Sequence, residues 1–107
     1  MKGTEKQLKW VEDIKANAIS CLENEITRKA AEPLFSADVR ACRLMIAVVS
    51  AVFDAQADAA KIIDRRGMFA PAALFATCDR WADMLRTGRI DITTLAARNG
   101  LKNYKED

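Results

Sequence analysis

Apolar residues recur along this chain at helical spacing in three long stretches and one short one. In the first stretch Leu8, Val11, Ile14, Ala18, Cys21 and Leu22 make a stripe, with Trp10 beside it. Thr4 stands three residues before Gln7, so T-E-K-Q has the form of a capping box. The Thr4 hydroxyl can accept from the Gln7 amide while the Gln7 side chain reaches back. Glu5 suits the positive end of a helix. These signals predict a first helix over residues 4–30, with Pro33 as its stop.

The second stretch is the most apolar. Val39, Cys42, Ile46, Val49, Phe53, Gln56, Ala60 and Ile63 alternate steps of three and four, which is a heptad seam. Met45, Val48, Val52, Ala59 and Ile62 widen it. Continuous spacing predicts one helix over 37–66, capped by Ser36 or Asp38, with Arg65 and Arg66 at its negative end and Gly67 as a left-handed stop. A helix apolar on more than one face is expected to be central and covered on two sides. At roughly 1.5 Å per residue the first two helices each approach 40 Å. That length and the wide apolar face make a dimer one expectation.

Pro71 suits the first turn of a third helix over 71–87, in which Leu74, Cys78, Trp81 and Leu85 share a face widened by Phe75 and Ala82. Asp91 is placed to cap a short fourth helix over 91–99, and the tail LKNYKED is polar. The expected fold is all-α: a single domain over 1–107, built as a small bundle of three main helices and a short C-terminal one.

Composition narrows what such a bundle can do. The chain has 107 residues, 17 Lys and Arg against 15 Asp and Glu, and a formal charge of +2. That is closer to neutral than is usual for a general nucleic-acid binder. Residues 1–20 are polar, so no secretory leader is expected, and LMIAVVSAVF at 44–53 is too short to span a bilayer. Cys21, Cys42 and Cys78 are odd in number and widely spaced, which fits free thiols in a cytoplasmic setting.

Histidine is absent, and with it the commonest general base and zinc ligand. No C-x-x-C, phosphate-binding glycine loop or nucleophile elbow is present. Asp54 with Asp58, and Asp79 with Asp83, are carboxylates four residues apart, better explained as the solvated side of amphipathic helices. Neither catalysis nor a metal or cofactor is expected. DITTLAARNGL at 91–101 resembles the first helix and turn of a helix-turn-helix, yet only six residues follow Leu101, too few for a helix that reads bases. A small dimeric DNA-binding regulator is therefore the alternative. The candidate partner-binding residues are Trp10, Arg65, Arg66, Arg86 and Arg89. Tryptophan and arginine are enriched at binding hot spots. Of the two tryptophans, Trp81 lies in the seam and Trp10 is the one expected to be partly exposed.

GTEKQLKWVEDI at 3–14 resembles the start of small uncharacterised proteins of bacteria, their phages and mobile elements. Those begin with a Gly-Ser/Thr-Glu-Lys-Gln turn followed by Trp-Ala-Glu and an isoleucine. Here Gly3, Thr4, Glu5, Lys6, Gln7, Trp10, Glu12 and Ile14 fit, and Val11 replaces the alanine. AAKIIDRRG at 59–67 is similar to a second segment of those proteins, with Ile62 in place of an aromatic residue. The likeness covers about a fifth of the chain and implies no activity. It implies a phage or mobile-element origin. In that context the expected role is to bind a host protein, in its sharper form as an inhibitor of bacterial defence such as an anti-CRISPR protein.

Overall fold

The computed structural model describes residues 1–106. It is an all-α bundle of five helices: α1 (Glu5–Lys29), α2 (Ser36–Ala55), α3 (Ala59–Asp64), α4 (Pro71–Arg86) and α5 (Ile92–Arg98). Two 3-10 turns join them, Pro33–Phe35 before α2 and Arg66–Phe69 after α3. No helix among the described residues is long and apolar enough to cross a membrane.

α1 starts as its sequence predicts. The Gln7 amide donates to Thr4 Oγ1 at 3.1 Å, and the Thr4 amide donates to Gln7 Oε1 at 2.9 Å. At about 1.5 Å per residue, α1 sets the long dimension of a body measuring 44 × 28 × 22 Å. Its buried residues Val11, Ala18 and Leu22 pack on α2. The core continues through Leu44, Met45, Val49 and Phe53 of α2 to Leu74, Cys78, Trp81 and Ala82 of α4, and Leu95 and Ala96 of α5 close it below. Phe53 meets Phe69 with ring centroids 4.8 Å apart.

The expected continuous helix over 37–66 does not form. α2 ends at Ala55, residues 56–58 are extended, and α3 begins anew at Ala59. Three interactions hold this break. The Asp58 carboxylate caps α3 by accepting from the Ala60 amide at 3.0 Å, and Gln56 Oε1 accepts from the Asp58 amide at 3.2 Å. The chain's own beginning supplies the third. The Lys2 amide donates to the Ala57 carbonyl at 2.6 Å, and the Ala59 amide donates to the Lys2 carbonyl at 2.8 Å. These bonds make an isolated parallel bridge between Lys2 and Asp58. Backbone groups that a continuous helix would have satisfied internally are thus paired with the N-terminal strap. The break lets α3 turn Ile62 and Ile63 into the core beside α1.

Two further expectations are corrected. Neither Ser36 nor Asp38 caps α2: the cap position is Phe35, without a side-chain bond, and Asp38 lies in the first turn facing two cations. Gly67 sits inside the second 3-10 turn, whereas Gly88 and Gly100 take positive φ values of 72° and 87° after α4 and α5. Gly67 is not needed as a stop because Asp64 already ends α3 and the chain tightens directly into i to i+3 bonding. With α2 shortened to 20 residues, the length argument for a dimer loses one of its two helices.

Candidate functional site

The sequence singles out five side chains, and the fold divides them between the two ends of the bundle. Trp10, near the start of α1, is 45% exposed. The Arg66 guanidinium lies over its ring, 5.2 Å from the centroid. Arg66 is held there by its own chain, since Nη1 donates to the Ile63 carbonyl at 2.8 Å at the C-terminal end of α3. A guanidinium so placed serves the negative helix end and presents a cation–π pair at the surface.

The same 3-10 turn carries an apolar groove. Met68 and Phe69 face Val48, Val49 and Val52 of α2, and Ala73, Leu74, Thr77 and Trp81 of α4, around a cavity of about 190 Å³. Its rim is open: Met68 is 62% and Val52 43% exposed. A smaller hollow of about 60 Å³ continues it past Gln56, Lys61, Ile62 and Arg65. Trp10 with Arg66 on one side and Val52 with Met68 on the other therefore flank one short turn. The sequence leads to the expectation that α2 is covered on two sides, and here Val52 leaves part of its apolar face open.

Arg86 and Arg89 lie elsewhere. Arg86 donates to Asp83 at 2.6 Å and to Asp38 at 2.9 Å. Asp38 also faces Lys29 at 3.9 Å, at the last turn of α1. Trp10 and Lys29 are separated by roughly 28 Å along α1 at 1.5 Å per residue. Arg86 is thus paired with carboxylates of two helices and joins them. Arg89 borders a cleft with Arg40 and Arg98.

The other sequence candidates settle into the scaffold. Cys42 and Cys78 are buried and Cys21 half-buried. The Cys78 thiol is pushed up by the hydrogen bond it shares with Cys42 and by burial, burial also raises Cys21, and the same shared bond lowers Cys42, so Cys78 and Cys21 stay protonated while Cys42 is the more acidic member of the buried pair. Their wide spacing hid the contact between Cys42 and Cys78, which only the antiparallel pairing of α2 and α4 creates. Among the described residues no group of three or more Cys, Asp or Glu is placed to hold a metal ion. Asp58 serves as the cap of α3, and Asp54 faces Lys15 at 3.9 Å. Residues 101–106 form turns and extended chain, not a helix, so α5 is not followed there by one that could enter a groove.

The tail docks instead. Arg40 grips the Glu106 carboxylate with two bonds of 2.8 Å, one to each oxygen. Those bonds hold the Glu106 carboxyl below the usual glutamate range. A carboxylate whose folded pKa is depressed contributes its stability fully above the unfolded value of about 4.3, and loses it as pH falls through the lower folded value. Acid should therefore release the tail only below about pH 4.3. An NMR titration of Tyr104, the chain's one tyrosine, is the check. A transition at or above that value would show that the Arg40 pair does not hold.

Comparison with protein-family models, with curated protein sequences and with solved structures finds no match to this chain.

Proposed function

We propose that this chain acts without catalysis, by binding another protein through the surface around the turn Arg66–Phe69. The observation that carries this reading is a half-exposed Trp10 under Arg66, on the same turn as an open apolar groove rimmed by Val52 and Met68. Tryptophan, methionine and arginine are the side chains enriched in protein interfaces, and an exposed apolar strip with charged neighbours is the usual form of one. The resemblance at residues 3–14 supplies the context: a phage or mobile-element protein in the bacterial cytoplasm, whose partner is a host protein. Its sharper form is an inhibitor of a defence nuclease complex, as anti-CRISPR proteins are.

Affinity capture from a bacterial lysate tests this with three baits. The unaltered chain is expected to retain a specific protein. Trp10→Ala combined with Met68→Asp is expected to weaken that capture at least tenfold, the size of a single hot spot. Arg28→Gln, on the far end of α1, is expected to leave it unchanged. No specific partner, or equal capture by all three, would refute the reading. A doubled mass in light scattering would instead assign the groove to a second copy of the chain.

A further inference from the structure

A second cleft lies away from that surface, where α2, the α4–α5 connection and α5 meet. It measures about 550 Å³ and is bordered by Arg40, Arg89, Arg98, Asp91 and Thr94, with Leu85 and Ile90 as its apolar part. From Arg40 to Val52 is roughly 18 Å along α2 at 1.5 Å per residue, so the two regions are separate.

Charge sets this cleft apart. Three arginines border it, from three elements. Arg40 is already engaged by Glu106 through both oxygens. Those bonds commit its fork to the tail, so Arg40 contributes to the wall of the cleft, and Arg89 and Arg98 are the guanidinium groups left to a ligand. Asp91 is committed as the cap of α5, accepting from the Thr94 amide at 2.7 Å. Among the described residues Arg89 and Arg98 make no ion pair, although Arg28, Arg40 and Arg86 each do. Both are exposed. Asp91 keeps its negative charge while it caps α5, so Arg89 and Arg98 leave the cleft one positive charge in excess, and an anion whose oxygens meet two guanidinium forks complements it.

We propose that this cleft is a binding site for a phosphate-bearing ligand, with Arg89 and Arg98 as the phosphate contacts and Arg40 and Thr94 completing its wall. The volume suits a group of nucleotide size. No aromatic side chain borders the cleft, so a base would find no stacking platform and recognition falls on the phosphates. A free polyphosphate and a nucleic-acid backbone share that chemistry.

Two probes distinguish those sources, each titrated against the full chain at low salt. Inorganic pyrophosphate is followed by amide NMR, and a short single-stranded DNA by fluorescence anisotropy. With the probe that binds, the amides of Gly88, Ile90 and Thr94 are expected to shift saturably. The double variant Arg89→Gln, Arg98→Gln is expected to weaken binding at least tenfold. The double variant Lys6→Gln, Lys9→Gln removes the same charge from exposed positions on α1 and is expected to stay within twofold of the unaltered chain. Saturation by pyrophosphate assigns the site to a small polyphosphate; binding of DNA alone assigns it to a nucleic-acid backbone. Failure of both probes, or an equal loss in the Lys6 and Lys9 variant, would overturn the proposal. Unchanged thermal unfolding of both variants verifies that folding is not what is measured. Trp10 and Met68 take no part in this site, so its failure leaves the protein-binding reading standing.

Discussion

Phe53→Ala is expected to cost about 3–5 kcal/mol of folding stability. Phe53 is 4% exposed and sits in the last turn of α2, just before the chain breaks. Its ring packs on Phe69 with the planes tilted by 54°. That contact ties α2 to the 3-10 turn that follows α3. Truncation would remove the transfer energy of the ring and leave a void that two helices and a turn cannot close without moving. A domain of this size has about 5–15 kcal/mol in total, so the variant should show a large fall in its urea midpoint. A loss below about 1 kcal/mol would mean that the ring does not occupy the core. The second consequence is local: Phe69 loses its partner, and the groove rimmed by Met68 should loosen with it.

Gly3→Val is expected to destabilise by about 1–3 kcal/mol, through crowding in place of a void. A Cβ at position 3 would stand 2.8 Å from the Cβ of Ala59 and 3.2 Å from Gln7 Oε1. Ala59 is fully buried and cannot give way. The Gly3 φ of 158° also disfavours a branched side chain. The cost has a ceiling, because the strap can detach and surrender the two Lys2 bonds, each worth about 0.5–1.5 kcal/mol. Hydrogen exchange separates these outcomes. The Ala59 amide, which donates to Lys2, should lose protection in the variant while the amides of α1 and α4 keep theirs. Retained protection at Ala59 would show that the strap tolerates a side chain at position 3.

Much of the architecture is legible in the pattern of residues. The capping box at Thr4, Pro71 at the start of α4, Asp91 at the start of α5 and the stripe through Leu74, Cys78 and Trp81 are local signals, and local hydrogen bonds and packing fulfil them. The break at 56–58 was written there less plainly. Gln56 is the one polar residue in the heptad seam and Asp58 is a good cap, yet the apolar spacing runs through both. What the spacing leaves out is Lys2, which joins Gln56 and Asp58 in holding the break and whose backbone arrives from the other end of the first half of the chain. No periodicity can report such a contact. The same holds for the sites. Trp10 is recognisable as a partly exposed aromatic residue, but its pairing with Arg66 depends on the break turning α3 back toward α1. Arg89 is recognisable as basic, while Arg40 and Arg98 join it only in three dimensions.

Time enters the molecule through the Lys2 clasp. Residues 2 and 57–59 are far apart in sequence, so the clasp closes only after α1 and α2 have paired and brought them together. Until then only the local bonds of Gln56 and Asp58 oppose the uninterrupted apolar spacing of residues 36–64. The part of the kink that depends on Lys2, and with it the full seating of Arg66 on Trp10, is therefore expected to form late in folding. The surface proposed above for a partner would then be the last to be completed, and a chain whose helices have formed while the clasp is open would not yet display it.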